Sequence, residues 1–239
     1  MAPDAQGHDD GPASVDAAAQ VFVEDLESCD LDTADVHHLA RVLRLRQGET
    51  VVCSDGRGSW RPCTFKGSPP WLEPEREAAF LPRAAPEVTV AFTPVKGDRP
   101  EWVVQKLVEI GVDHIVVLRS ERSVVVWEGA RAGRAIERLA KISVQAAAQS
   151  RRTWIPDVTG VTDLGDYAGT HPVLMAERGG GRLQLGMPVC VGPEGGWAGH
   201  ELKLASGMVG LGHGVLRAET AALVAGALVC ALRDCGFSQ

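Results

Sequence analysis

The chain lacks the features that would place it in a membrane, outside the cell or among the common nucleotide-binding families. Its 239 residues contain no apolar run near the roughly 20 residues needed to span a bilayer. The first twenty residues carry no Lys or Arg and no apolar core, so they do not form a secretory signal. The patterns G-x-G-x-x-G and G-x-x-x-x-G-K-[ST] are also missing, which argues against a Rossmann-type dinucleotide site and a P-loop hydrolase.

The cysteines form no recognisable disulfide or metal pattern. No CxxC pair is present, and no His lies at metal-binding spacing from a cysteine. The six residues are Cys29, Cys53, Cys63, Cys190, Cys230 and Cys235. Since a chain of this size without an export signal is not a disulfide scaffold, we expect reduced and mostly buried thiols, no metal site and a cytoplasmic location.

Composition divides the chain into three parts. Residues 1–20 are polar and acidic, which predicts a disordered tail. Residues 21–86 are short, turn-rich segments that predict a small β-barrel, with a strand and its hairpin partner between residues 47 and 65. Residues 35–45 are the exception, because their apolar spacing predicts a helix with one basic face.

In residues 87–239, short continuous apolar runs alternate with segments whose apolar residues recur at helical spacing. This alternation predicts an α/β domain with a mostly parallel sheet. One helix should end at Gly111, and later elements are expected as strands at 172–176 and 188–191 and helices at 199–208 and 218–233.

The net charge of −7 is not that of a typical nucleic-acid-binding protein, but the positive charges are clustered. Local positive patches are what contact phosphates, whatever the charge of the whole protein. The two clusters are Arg41, Arg44 and Arg46, and Arg131, Arg134, Arg138 and Lys141 with Arg151 and Arg152. The clusters permit RNA binding, although each, taken alone, is more often a solvated helix face.

Two glycine-bearing segments are the most informative part of the chain. Residues 189–196, VCVGPEGG, predict a buried strand whose exit loop exposes backbone N–H and C=O groups. Residues 211–222, LGHGVLRAETAA, place glycines just before a helix start. Ligands of parallel α/β sheets bind beyond the carboxyl ends of the strands, and glycine lets the main chain approach them closely. The two segments therefore predict a backbone-lined slot for a flat, polar small molecule.

These segments resemble the signature of the RsmE-type 16S ribosomal RNA methyltransferases of the SPOUT superfamily. Upstream matches add to the resemblance: HHLARVLR at 37–44, KGDRPEWVVQKLVEIG at 96–111, ERS at 121–123 and AAAQSRR at 146–152. The resemblance implies a PUA-like barrel at 21–86 and a SPOUT domain with a C-terminal trefoil knot at 87–239. It also implies a homodimer that transfers a methyl group from S-adenosylmethionine to N3 of one uridine of 16S rRNA in the small ribosomal subunit. The knot comes from the resemblance alone, because threaded chains are rare.

Methylation at N3 requires loss of the N3 proton, and a cation aimed at O2 or O4 would stabilise the resulting anion. We expect Arg217 to be this cation, although it could instead pair with Glu219 or cap carbonyl groups. Glu219 is the candidate base, although a Glu in the first turn of a helix is also what the helix dipole prefers. Glu194 is the third candidate catalytic residue, expected to position the loop or to contact substrate. The expected cofactor-binding residues are Met175, Ala176, Glu177, Gly192, Pro193, Glu194, Gly195, Gly196, Leu211, Gly212, Val215, Leu216, Arg217, Ala218 and Thr220. The expected RNA-binding residues are His38, Arg41, Arg44, Arg122, Gln149, Arg151 and Arg152.

Two other functions remain open at this stage. A SPOUT methyltransferase could act on another RNA position or another atom, such as a ribose 2′-hydroxyl. A non-catalytic RNA-binding or assembly protein could have kept the fold. The intact glycine loops disfavour the second, because a protein that binds only RNA has no need for a slot that the main chain must approach so closely.

Overall fold

The computed structural model describes residues 11–67 and 69–235. The chain divides into two compact units. Residues 1–83 and 147–155 make the N-terminal unit, and residues 84–146 and 156–239 make the C-terminal unit. Residues 147–155, which we assigned by sequence to the second domain, thus group with the first unit. None of the helices in the described ranges is both long enough and apolar enough to cross a membrane.

The N-terminal unit is built on a mixed five-stranded sheet. Its strands are β1 (Ala19–Phe22), β2 (Thr50–Ser54), β3 (Ser59–Gly67), β4 (Pro70–Pro74) and β5 (Ala79–Phe80). β1 runs parallel to β2, whereas β2, β4 and β5 all pair antiparallel with β3. The β2–β3 hairpin agrees with the strand pair predicted between residues 47 and 65. Its turn is closed by Asp55, whose carboxylate accepts the backbone N–H groups of Arg57 and Ser59.

The basic helix predicted at residues 35–45 is shorter and changes type. It begins as α1 (Thr33–His37) and continues as a π-type turn over His38–Val42. In this turn the N–H of Leu43 donates to the carbonyl of His38 at 2.9 Å. Arg44 then ends the segment with a left-handed φ of 56°. Such a residue reverses the chain direction at a helix end, and so the helix cannot extend to residue 45.

Residues 11–20 correct the prediction of a disordered tail. A 3₁₀ turn at Pro12–Ser14 precedes β1, and Ala19 and Gln20 already belong to the sheet. Gln20 is buried, and its amide donates to the backbone carbonyl of Arg152 at 2.7 Å. Strand pairing outweighs the polar composition here, because it satisfies the backbone groups of the segment. The other half of the predicted tail, residues 1–10, lies outside the described residues.

The C-terminal unit contains a six-stranded sheet in which every pairing is parallel. Its spatial order is β11-β9-β10-β6-β7-β8. The strands are β6 (Thr89–Phe92), β7 (His114–Arg119), β8 (Asp157–Asp163), β9 (Leu174–Gly181), β10 (Val189–Val191) and β11 (Gly207–Val209). The helices are α2 (Arg99–Ile110), α3 (Gly129–Gln149, whose last three residues belong to the N-terminal unit), α4 (Leu164–Thr170) and α5 (Ala218–Cys235). This confirms the predicted α/β class, and Gly111 ends α2 with φ 111° as expected.

One predicted helix of this unit is wrong. Residues 199–208 form only a 3₁₀ turn at Glu201–Leu204, followed by strand β11. The N–H of Ser206 donates to the carbonyl of Val173 at 2.9 Å, which draws the chain onto the edge of β9. Glu201 holds the start of the turn, because its buried carboxylate accepts the N–H of Ala198 at 2.7 Å and that of Glu121 at 2.9 Å.

Candidate functional site

A cleft of about 720 Å³, open to solvent, lies where β9 and β10 end and the chain enters α5. Its lining comes from three segments, at 176–178, 191–197 and 211–221. Most of the residues predicted to hold a small molecule line it: Ala176, Glu177, Gly192, Pro193, Glu194, Gly196, Leu211, Gly212, Val215, Leu216 and Ala218. The fold therefore brings together the two glycine segments that the sequence singled out.

The loop after β10 packs around Trp197. The indole of Trp197 is buried and donates its Nε1–H to the carbonyl of Ala176 at 3.2 Å, so it ties this loop to β9. A Cβ on Gly192 would lie 2.9 Å from the indole ring, which is closer than real side chains pack. Glycine at 192 is thus required by the packing of the loop itself.

The opposite end of the same loop is fixed by a turn and a side chain. The N–H of Gly196 donates to the carbonyl of Pro193 at 2.9 Å, and Gly196 adopts a left-handed φ of 67°. The exposed Arg122 donates from its guanidinium to the carbonyl of Gly195 at 3.0 Å. Arg122, which we predicted to face RNA, therefore also positions the cleft loop.

Four predicted cofactor residues do not line the cleft. The side chain of Met175 is fully buried in the core of the C-terminal unit. Gly195 is exposed, and a Cβ there would make only ordinary contact with Arg122, at 3.6 Å. Arg217 and Thr220 are exposed at the start of α5, next to lining residues. Of these four, Arg217 matters most for the chemistry, since its neighbours Leu216 and Ala218 both line the cleft.

The candidate carboxylates have different surroundings. Glu219 is 11% exposed and pairs with Arg99 at the start of α2, at 3.2 Å. Its second oxygen, Oε2, is buried without a hydrogen-bond partner in the described structure. Glu194 is exposed and lines the cleft directly. The ion pair that we considered between Arg217 and Glu219 is replaced by the one to Arg99.

The list of expected cofactor residues omitted five lining residues. Val191, Gly214 and Ala221 lie within the two predicted glycine segments, whereas Arg178 and Trp197 lie outside them. The sequence does offer a signal for Trp197 as a lining residue. It directly follows the glycine loop, and an aromatic ring at that position is expected to pack against the loop. Arg178 lies within β9, which continues to Gly181, well beyond the strand predicted at 172–176.

A second concave surface in the C-terminal unit carries positive charge. It is an open pocket of about 870 Å³ near the start of α3. Its charged lining residues are Lys96, Arg131, Arg134 and Arg138, and Trp127 forms part of its wall. Arg138 also pairs with Glu101 of α2. Three members of one predicted cluster, Arg131, Arg134 and Arg138, thus face a pocket rather than an open helix surface, whereas Lys141, Arg151 and Arg152 do not line it.

The remaining RNA candidates lie in the N-terminal unit. Arg41 and Arg44 are exposed beside the half-buried His38, and Gln149 is exposed at the end of α3. Arg151 is partly buried and donates to the carbonyl of Ala17 at 2.5 Å, and burial lowers the pKa of its guanidinium. Arg151 and Arg152 therefore make structural contacts with the segment before and within β1.

Comparison with known proteins places this geometry in a family. Residues 83–230 match the model of an RNA methyltransferase domain, and residues 31–69 match that of an RNA methyltransferase PUA domain. The chain is 32% identical, over 228 residues, to ribosomal RNA small subunit methyltransferase E of Synechocystis, with 85% of this chain and 73% of that protein covered. The Mycobacterium tuberculosis protein of the same name is 32% identical over 217 residues, covering 82% and 83%.

A solved structure of a protein with the same name also has a similar fold. Ribosomal RNA small subunit methyltransferase E of Neisseria gonorrhoeae, bound to S-adenosyl methionine, superposes with a TM-score of 0.76. The sequences are 27% identical, and the superposition covers 90% of this chain and 97% of that one.

Proposed function

This chain belongs to the RNA methyltransferase family that includes ribosomal RNA small subunit methyltransferase E, and we propose that it methylates N3 of one uridine in 16S rRNA. The methyl donor is S-adenosylmethionine and the substrate is the small ribosomal subunit, which places the enzyme in the cytoplasm. The observation that carries the proposal is the glycine-lined cleft between the ends of β9 and β10 and the start of α5.

The cleft residues fit S-adenosylmethionine. A Cβ on Gly196, Gly212 or Gly214 would meet no protein atom within 4 Å, so these glycines open onto free space. Apolar side chains at Val215 and Leu216 can cover an adenine ring, while main-chain groups of the glycine loops can bind its polar edge. The Neisseria relative, whose structure contains this cofactor, has the same fold.

When bound, S-adenosylmethionine supplies a methyl group made electrophilic by its sulfonium. The protein must orient uracil so that N3 faces this group in line, and must hold the negative charge that develops on O2 and O4. Arg217 supplies the positive charge, since it is exposed between two lining residues. Glu194 is the better-placed proton acceptor, because Glu219 is already paired with Arg99 and instead positions the start of α5.

RNA contacts come from both units. In the C-terminal unit, the pocket of Lys96, Arg131 and Arg134 suits phosphate groups, which bind wherever positive charges converge. In the N-terminal unit, Arg41 and Arg44 present exposed charge within the segment that matches the PUA domain. We therefore assign RNA binding to a barrel at 21–86 together with this pocket, and catalysis to the domain at 87–239.

The domain at 87–239 is proposed to carry a trefoil knot and to dimerise through α5. Support for the knot is that β10 enters between β6 and β9 while α5 packs back onto α2, β6 and β10.

Support for the dimer is that residues 221–232 of α5 are apolar on every side. A helix of this composition is normally buried all round, yet Leu228 is 36% exposed and Val215 next to the helix is 80% exposed. A second copy would cover this surface.

A primer-extension assay on treated rRNA tests the proposal. Small subunits that lack the modification are incubated with the protein and S-adenosylmethionine, and the rRNA is copied by reverse transcriptase. A methyl group on N3 blocks Watson–Crick pairing and stops the copy at one uridine, whereas a ribose 2′-methyl group leaves pairing intact. One cofactor-dependent stop supports the proposal. Methyl incorporation without such a stop would assign another atom, and no incorporation would favour a binding protein.

A further inference from the structure

Three cysteine thiols meet in the core of the N-terminal unit. The sulfur of Cys63 lies 3.5 Å from that of Cys29 and 3.5 Å from that of Cys53. All three sulfurs lie within 4.8 Å of one another, and the residues are at most 1% exposed. Nothing in the proposed methyl transfer uses this cluster, which is in the unit that does not contain the cleft.

The hairpin register creates half of the cluster. Cys63 of β3 pairs with Val51 of β2, and Cys53 lies two residues further along β2. Because side chains two residues apart point to the same face of a strand, Cys53 and Cys63 become diagonal neighbours on the core side. Neither spacing along the chain nor a CxxC pattern reveals this arrangement.

A tight turn delivers the third thiol. The N–H of Cys29 donates to the carbonyl of Asp25 at 3.0 Å, and its Sγ lies 3.1 Å from the carbonyl of Leu26. Cys29 adopts a left-handed φ of 50°, a conformation that non-glycine residues seldom take. The fold thus accepts a strained residue at the point where its thiol faces the other two.

A buried positive charge accompanies the thiols. The Arg61 side chain is 7% exposed, and its guanidinium donates to the carbonyls of Leu26 and Arg76. Arg61 and Cys29 both contact the carbonyl of Leu26, at 2.9 Å and 3.1 Å, so the guanidinium lies beside the trio. The thiolate is the form of cysteine that binds metals, and a nearby positive charge favours that form.

The spacing suits a small cation. A metal bonded to sulfur at about 2.3 Å in a trigonal plane holds its three sulfurs about 4.0 Å apart. Two of the observed separations are 3.5 Å and the third is at most 4.8 Å, so two sides of the trio must open by about 0.5 Å to hold a metal. Three thiolates around Zn²⁺ carry a net charge of −1, and the guanidinium of Arg61, which also pairs with the exposed Glu27 at 3.7 Å, lies beside them. Soft thiolate ligands select Zn²⁺ and Cu⁺ over hard cations.

We propose that Cys29, Cys53 and Cys63 form a binding site for one thiophilic metal ion, Zn²⁺ or Cu⁺, that fastens the 25–29 turn to the β2–β3 hairpin. Binding displaces the protons of the thiols, which pass to solvent. The site stabilises the N-terminal unit and is independent of methyl transfer.

The test uses the full chain, because the buried site is best loaded while the protein folds. The protein is unfolded with a chelator and a reductant, then refolded with one equivalent of Zn²⁺ or Cu⁺ or with neither. Bound metal is counted by mass spectrometry of the elements, and thiolate-to-metal charge-transfer absorption reports the ligands. Competition between the two ions identifies the cation that the site prefers.

Two variants make the result specific. Cys63→Ser removes the sulfur that contacts both others, whereas Cys190→Ser is a matched control, since Cys190 is also fully buried but lies in the C-terminal unit. We expect one metal per chain and a raised Tm in the native chain and in Cys190→Ser, and binding at least about 100-fold weaker in Cys63→Ser. Should Cys63→Ser not fold, Cys29→Ala gives the same readout.

The proposal fails if neither ion binds the refolded native chain one to one. It also fails if Cys63→Ser or Cys29→Ala retains the metal, or if the refolded chain contains a disulfide within the trio in place of metal.

Discussion

The indole of Trp197 fills the space beside Gly192 that a side chain at this position would need. Ring atoms lie 2.9–3.1 Å from the place of a Cβ on Gly192, and the same indole donates a hydrogen bond to Ala176 at 3.2 Å. One wall of the cleft is thus held by an aromatic ring that only glycine admits. From the sequence we interpreted Gly192 as a residue that lets the main chain approach a ligand closely. The packing of Trp197 is a second reason why glycine is needed at this position.

Gly192→Ala should weaken S-adenosylmethionine binding by more than about tenfold, because the indole must move and the loop after β10 moves with it. Gly195→Ala is the matched control, since a Cβ at 195 would make only ordinary contact at 3.6 Å. Isothermal titration of both variants measures the affinities. Equal affinities would show that the cleft does not depend on the Trp197 packing.

Arg217→Ala should lower kcat for methyl transfer by about 100-fold or more, with little change in the Kd of S-adenosylmethionine, because the guanidinium acts on charge that develops in the transition state. Single-turnover kinetics on small subunits provide the rate. Arg178→Ala, at an exposed arginine that does line the cleft, separates a specific role of Arg217 from general positive charge. A normal rate for Arg217→Ala would remove this residue from the mechanism.

Arg233→Ala should reduce the free energy of unfolding by about 3–5 kcal/mol, since it removes the guanidinium from a buried carboxylate. Arg233 lies 2.7 Å from Asp113, and the two side chains are 7% and 5% exposed. Asp234→Asn, which affects only the exposed partner of Arg233, should cost less than about 1 kcal/mol. Urea unfolding of both variants makes the comparison. Similar losses for the two would mean that the Asp113 pair does not stabilise the fold.

Tyr167 is the only tyrosine, so the absorbance of tyrosinate reports it alone. Burial, with a contribution from the charge of Cys190, raises its pKa from 10.0 to about 12. The folded pKa lies above the unfolded one, so the stability associated with neutral Tyr167 is fully present below pH 10 and is lost as the pH rises toward 12. A spectrophotometric titration with a midpoint near 10 in the folded protein would contradict this burial.

The cleft could be predicted because each segment that forms it is marked by residues that are neighbours in the sequence. The run at 189–191 and the glycines that follow identify a strand and its exit loop, and the helix from Ala218 was expected at 218–233. The helix predicted at 199–208 was wrong for a non-local reason, since hydrogen bonding of Ser206 to Val173 draws that segment onto the sheet.

Other features depend on which distant residues meet. Glu219 pairs with Arg99 rather than with the nearby Arg217, and the trio of cysteines arises from strand register and one turn. Neither could be read from spacing along the chain. The segment at 147–155 groups with the N-terminal unit for the same reason, because its contacts are made with that unit.

The central claim is that the cleft positions S-adenosylmethionine to methylate N3 of a uridine in the small subunit. The most direct measurement is nucleoside mass spectrometry of 16S rRNA from unmodified small subunits incubated with the protein and isotope-labelled S-adenosylmethionine. The account predicts label in N3-methyluridine alone, and none with Arg217→Ala at short times. Label in a 2′-O-methylated nucleoside or in another base would contradict it.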